Sequence, residues 1–310
     1  EYEKSRRCFE SIIRLSPDNP LGYIGIGQLS MFEKKSDAAE EYLQKALDRK
    51  PFLVEALSSL VLVYTRQGNL AAAFNACDKQ LARLEDSRRA TAVIYNLKGS
   101  LYLEQKNSHK AEAQFKAAQQ ADPNYLPSYY ALARLYLADD QEENAIKQFK
   151  GVLKQDPDQT SPHMLLGIIY ESQGDPVLAE KHYRAALEIK TDFAPAANNL
   201  AYLLADQNRD LSEAFDLAIK AKQVNPADPA ISDTLGLVYY KKGLYDYAVG
   251  ELTAAAEKLP DNAVVRYHLG MAYLKKGDGD KARSELEKAL SLDTSFKGAE
   301  EAREALAALQ

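Results

Sequence analysis

The sequence predicts an all-α solenoid of antiparallel helix pairs, and three observations carry that expectation. Prolines recur at a fixed interval, small residues recur at two fixed places between them, and no alternating apolar pattern of a β-strand is visible. The interval is 34 residues from Pro17 to Pro51, from Pro123 to Pro157 and from Pro226 to Pro260. A period of that size marks a repeat architecture, in which one helix–turn–helix unit buries its apolar face against its neighbours. Length alone, 310 residues, would suggest two globular domains, but a solenoid grows without enlarging a single core.

Counting from Pro20 as the first place of a repeat gives starts at 20, 54, 92, 126, 160, 194, 229 and 263. The eighth place then reads Gly27, Val61, Gly99, Ala133, Gly167, Ala201, Gly236 and Gly270. The eleventh reads Tyr64, Tyr102, Tyr136, Tyr170, Tyr239 and Tyr273, with Ser30 and Leu204 as exceptions. The twentieth is alanine throughout: Ala39, Ala73, Ala111, Ala145, Ala179, Ala248 and Ala282, with Ala214 after a one-residue shift. Two helices approach to about 8 Å only where small side chains meet. Gly or Ala on the first helix facing Ala on the second therefore predicts a close crossing. The tyrosine should fill the gap beside it, its ring buried and its hydroxyl near water.

The turns follow the same logic. Gly-containing turns at 67–69, 173–175, 242–244 and 276–278 suit a helix C-cap followed by a new start. GDGD at 277–280 is read as such a turn, because the other ligands of a calcium loop are missing. Proline after the second helix ends it by removing a donor and clashing one turn back. Two irregularities interrupt the period. Four extra residues lie near EDSRRAT (85–91), read as a loop insertion, with a kink or a partner contact at Arg88 and Arg89 as the alternative. One more lies in ADQNRD (205–210). At the start, residues 1–19 match only a second helix, with Phe9, Ile12 and Ile13 in register. Either self-association through residues 1–30 or disorder there is expected from that half repeat. At the other end, residues 297–310 read as a capping helix that shields the last apolar face.

LLGIIY (165–170), TLGLVYY (234–240) and HLGMAY (268–273) resemble the signature of the tetratricopeptide repeat family, and the resemblance runs along essentially the whole chain. It departs at the fourth place, where Ala197, Ser232 and Arg266 replace the expected aromatic or leucine. The resemblance implies a right-handed superhelix of eight repeats and a protein–protein interaction scaffold. It also implies that the second, fifth, ninth and twelfth places of first helices line a concave groove. Read off here, the groove candidates for a bound protein or peptide include Asn96, Tyr130, Arg134, Met164, Ile168, Asn198, Tyr202, Asp233, Tyr240, Tyr267 and Met271. The Lys/Asn/Asn/Lys/Arg set that grips chaperone C-termini in that family is not found. An apolar and aromatic lining suits a helix or an extended peptide. A narrower resemblance, of residues 198–221 and 233–243 to bacterial repeat proteins of exopolysaccharide and cell-envelope assembly, implies a partner in such an assembly. The rival expectation is a regulatory or substrate-recruiting arm of a larger enzyme.

Composition narrows the function classes. The chain is 46% hydrophobic and 27% charged, with net charge -6. Residues 1–100 carry +2, which leaves -8 for 101–310. No basic stripe accumulates, which excludes nucleic acid as the expected partner. No run approaches the ~18 apolar residues of a membrane span, so no insertion is expected within these residues. Cys8 and Cys77 form no CxxC motif and are read as buried or half-buried thiols. They leave the compartment open, cytoplasm or bacterial periplasm. His109 is placed in an inter-helix turn, His182 on an exposed second-helix face, and His163 and His268 on first helices far apart in sequence. None is spaced for pairing with a carboxylate, serine or cysteine. Phosphate-loop and dinucleotide motifs are missing as well, so neither a catalytic residue nor a cofactor is assigned.

Overall fold

The computed structural model describes residues 2–51, 53–84 and 87–309; Glu1, Phe52, Glu85, Asp86 and Gln310 lie outside the described residues. Among the described residues the chain forms eighteen α-helices and no strand, the all-α solenoid class that the period predicts. No described helix is long and apolar enough to cross a membrane. Two compact units divide the chain, residues 1–155 and 156–310.

The first unit holds α1 (Tyr2–Leu15), α2 (Pro20–Phe32), α3 (Ser36–Arg49), α4 (Val54–Arg66), α5 (Leu70–Leu81), α6 (Arg88–Glu104), α7 (Ser108–Ala121), α8 (Leu126–Ala138) and α9 (Glu142–Gln155). In the second are α10 (Thr160–Ser172), α11 (Pro176–Ile189), α12 (Ala194–Asp206), α13 (Leu211–Val224), α14 (Pro229–Lys241), α15 (Tyr245–Lys258), α16 (Ala263–Lys276), α17 (Gly279–Leu292) and α18 (Ala299–Ala308). From α2 onward, helices pair in sequence: α2 with α3 in the first unit, for instance, and α10 with α11 in the second. Side-chain caps start many of them. Asn69 Oδ1 accepts from Ala72 N at 3.1 Å and Asp175 Oδ1 from Leu178 N at 2.9 Å, each satisfying a backbone donor that the helix leaves open.

Within each pair the turn needs one left-handed residue. Gly68, Gly174, Gly243 and Gly277 supply it with φ of 71 to 92°. Lys34, Lys106, Asp140 and Asn208 hold the corresponding turns at φ of 54 to 59°, a conformation that costs an L-residue about 1 kcal/mol or more.

All eight alanines of the twentieth place are 0% exposed, as a close crossing requires. The side chains nearest the glycines, however, are larger ones. A Cβ built on Gly99 would lie 2.4 Å from Phe115, on Gly167 2.4 Å from Tyr183, and on Gly27, Gly236 and Gly270 within 2.7 Å of Leu43, Leu252 and Leu286. Each of these large side chains is 0% exposed and sits one helical turn beyond the alanine. The crossing is therefore a knob of Leu, Phe or Tyr entering a glycine notch, with the alanine packed one turn away. Two tyrosines of the eleventh place also differ from expectation. Instead of leaving its hydroxyl to water, Tyr64 donates to Glu40 at 2.9 Å and Tyr136 to Glu112 at 2.8 Å. Each bond ties a first helix to the second helix of the preceding pair. Burial and then Glu40 push the Tyr64 hydroxyl up to about 12. Second helices are tied to each other in the same manner, Arg184 to Glu213 by two bonds of 2.5 and 2.8 Å and Lys222 to Glu251 at 2.9 Å.

Several local expectations need correction. Residues 88–91 do not loop out: Ser87 caps α6 through Ala90 N at 3.3 Å, and the insertion lengthens that helix at its start. Arg89 is held within the chain, 2.9 Å from Asp122 and over the Tyr125 ring. His109 belongs to the first turn of α7, because Asn107 rather than a later residue caps that helix. Cys8 is exposed while Cys77 is buried, because α1 has a neighbour on one face only and turns Cys8 away from it. On that covered face Phe9 and Ile13 pack against Gly25 and Gly22, and Phe9, Ile12 and Ile13 are half-buried. At the far end of the second unit, Ala299, Ala302 and Ala305 of α18 join the cluster formed with Leu286 and Ala289 of α17.

A candidate partner-binding cleft

In the second unit the first helices α10, α12, α14 and α16 stand side by side, because each repeat presents the same face at the same places. Their facing side chains enclose a cleft of about 660 Å³. Ile168 comes from α10, Asn198 and Tyr202 from α12, and Asp233 from α14, so four of the groove candidates meet in it. Glu171, Tyr183, Asn199 and Lys297 are among its other polar lining residues, while Val264, Val265 and Leu259 contribute apolar wall. A smaller cavity of about 70 Å³ in the same unit brings Tyr240, Tyr267 and Met271 together with Asp206, Lys241 and His268. Met164 is half-buried on α10 and lines neither. Asn96, Tyr130 and Arg134 belong to the first unit. There Asn96 is half-buried, Tyr130 packs edge-on against Phe149 at 6.1 Å, and Arg134 is exposed.

Carboxylates and tyrosines set the chemistry of this face. Glu171 accepts from the buried Tyr183 hydroxyl at 2.7 Å. Burial raises the Glu171 carboxyl above its ordinary range, and the tyrosine bond and Lys297 only partly oppose that. Burial likewise raises the hydroxyls of Tyr183, Tyr202 and Tyr240, and that of Tyr267 to about 12. These rings are therefore neutral donors at any ordinary pH. Asp233, only 8% exposed, pairs with His268 Nδ1 at 2.9 Å and ties α14 to α16. Asn198 Oδ1 is buried with no hydrogen-bond partner among the described residues. Lys297, in the segment between α17 and α18, reaches back 91 residues to Asp206 Oδ2 at 2.7 Å, its ammonium 6.0 Å from the Tyr202 ring centre.

Sequence spacing hid two of these contacts. His268 does find a carboxylate, and His182 is half-buried rather than exposed, 3.0 Å from His163 and stacked on Tyr170. In a solenoid the neighbour of a first-helix residue lies one period away, and 35 residues separate Asp233 from His268. Glu171 stands at the twelfth place of its repeat, so the rule that named its neighbours reaches it as well. No period reaches Lys297.

Comparison with known proteins agrees with the helix pairing. Models of the tetratricopeptide repeat match residues 26–84, 102–169, 163–197 and 234–296. The chain is 36% identical over 95 residues to a TPR repeat-containing protein of Pseudomonas aeruginosa, a match spanning 31% of this chain and 16% of that protein. Among solved structures, the Cut9–Hcn1 hetero-tetramer of the APC/C superposes with a TM-score of 0.63 at 16% identity, over 98% of this chain and 58% of that one. Pseudomonas aeruginosa pilF gives 0.57 at 18% identity, over 70% of this chain and 98% of the other. At such identities these structures speak for the fold alone.

Proposed function

The chain belongs to the tetratricopeptide repeat family, and from that membership we propose that it is a protein–protein interaction scaffold whose first helices hold an extended peptide or a helix of its partner. The repeats are taken to start at 20, 54, 92, 126, 160, 194, 229 and 263, closed by α18. One observation supports the groove most: Ile168, Asn198, Tyr202 and Asp233, drawn from three successive first helices, line a single cleft of about 660 Å³. A cleft of mixed tyrosine, amide and aliphatic lining suits a peptide, since the rings bury apolar stems while amides and hydroxyls meet its backbone. The partner is proposed to belong to a bacterial envelope or polysaccharide assembly, on the resemblance carried by residues 198–221 and 233–243.

Blocking the cleft tests the reading. In a Cys8→Ser background, Ile168→Cys and Val177→Cys place a thiol respectively in the cleft and on the exposed second helix α11, where Val177 is 72% exposed. Random dodecapeptides displayed on phage are selected against the unmodified protein. Coupling a bulky maleimide at position 168 should abolish binding of the selected peptides, and coupling at 177 should leave it intact. The reverse pattern would overturn the proposal.

A further inference from the structure

The chemistry of the cleft narrows what that peptide carries. Resting on the reading of this cleft as the partner site, we propose that it receives a lysine or arginine side chain of the bound segment, and that Lys297 is an internal occupant which this side chain displaces. The first support is charge complementarity. Glu171 and Asp233 line the main cleft, and Asp206 lines the smaller cavity of the same unit. Lys241 and Lys297 are the cations among the lining residues of the two cavities, and the carboxylates outnumber them. Glu171 is answered by a neutral hydroxyl and Asp233 by an imidazole.

The second support is Lys297 itself, because the chain already places an ammonium here. It binds a carboxylate at 2.7 Å and stands over a tyrosine ring, the two partners that recognise a cation. Its side chain remains 69% exposed, so the tie to Asp206 is a solvent-screened pair of the kind that competes weakly. An incoming side chain could in addition lay its alkyl stem along Ile168, Leu259 and Val264. Asn198 Oδ1 offers a buried acceptor without a partner to a backbone N–H or to the cation. A neutral or acidic segment would bring these carboxylates no cation to replace Lys297.

The phage-displayed random dodecapeptides supply the probe, followed by fluorescence anisotropy of a labelled selected peptide. The selected sequences should share a Lys or Arg at one position. Replacing it by norleucine should weaken binding about tenfold or more, the scale of a lost charge-assisted contact. Glu171→Gln with Asp206→Asn should do the same, with circular dichroism and urea unfolding showing an intact fold. Lys297→Ala should tighten binding about threefold or more by removing the competing occupant. Peptides without a basic residue that are still blocked by the maleimide at position 168 would overturn this inference and leave the groove reading standing. Failure to select any peptide that the maleimide blocks would overturn both. An unchanged affinity in Lys297→Ala would refute the displacement.

Discussion

Gly167→Ala couples the helix crossing to the cleft and gives the sharpest stability test. The added Cβ would lie 2.4 and 2.5 Å from two ring carbons of Tyr183, where carbon pairs rest at about 3.5–4.0 Å. Tyr183 is 0% exposed, so its ring must retreat by about 1 Å into packed surroundings, an overpacking that costs about 1–3 kcal/mol. That retreat also strains the 2.7 Å bond to Glu171, a charge-assisted contact worth about 1.5–3 kcal/mol when intact. Against this stands the better helix propensity of alanine, about 1 kcal/mol. The net expectation is a loss of about 2 kcal/mol, or about 4–8 °C in Tm for a unit of this size. Gly250→Ala is the internal control. It lies in α15 with nothing within 4 Å of the added carbon, and should gain about 1 kcal/mol from propensity alone. Urea unfolding followed by circular dichroism reads both. A Gly167→Ala protein as stable as the wild type would refute the knob-and-notch crossing.

Three further outcomes are expected. Lys106→Gly relieves a left-handed residue at φ 55° on an exposed turn and should raise stability by about 0.5–1 kcal/mol; a loss would mean that the lysine makes a contact worth more than the strain. Native protein treated with a maleimide should label at Cys8 alone, because Cys77 is buried and its thiol is pushed up to about 12. Mass spectrometry showing equal modification of both cysteines before unfolding would contradict that burial. Glu171 has a folded pKa raised by burial above its ordinary 4.5. Its contribution to stability is thus fully present below the unfolded value and is lost as pH rises through the folded one. Relative to wild type, Glu171→Gln should therefore gain stability between pH 4 and pH 8; a difference that does not change with pH would refute the shift.

The period made most of the fold legible, because in a solenoid one turn of sequence pattern repeats one unit of packing. Alanine at the twentieth place foretold a buried crossing, and that burial is complete in all eight. What the glycines face was not legible. A notch and a small partner look alike in sequence, and only coordinates distinguish Ala179 from Tyr183 as the side chain that fills the space at Gly167. The hydroxyl bonds of Tyr64 and Tyr136 are illegible for a similar reason: an aromatic place predicts burial of the ring, while the acceptor sits on another pair, as Glu112 does for Tyr136. In the cleft, Ile168, Asn198, Tyr202 and Asp233 came from the repeat register. Spacing over a few residues does not pair Asp233 with His268, because the solenoid brings neighbours together one period apart. Lys297 lies beyond the last repeat, so its reach to Asp206 follows from tertiary placement that no local pattern encodes.

The central claim is that a partner sits against the first helices of the second unit, and photo-crosslinking in the cell that makes the protein tests it most directly. A benzophenone amino acid placed at Ile168 or Tyr202, in the cleft, should yield one discrete covalent adduct with a partner protein. The same group at Val177 or Tyr247, exposed on the second helices α11 and α15, should yield none. Adducts formed from Val177 or Tyr247 while Ile168 and Tyr202 stay uncoupled would place the partner on the opposite helices and contradict the account.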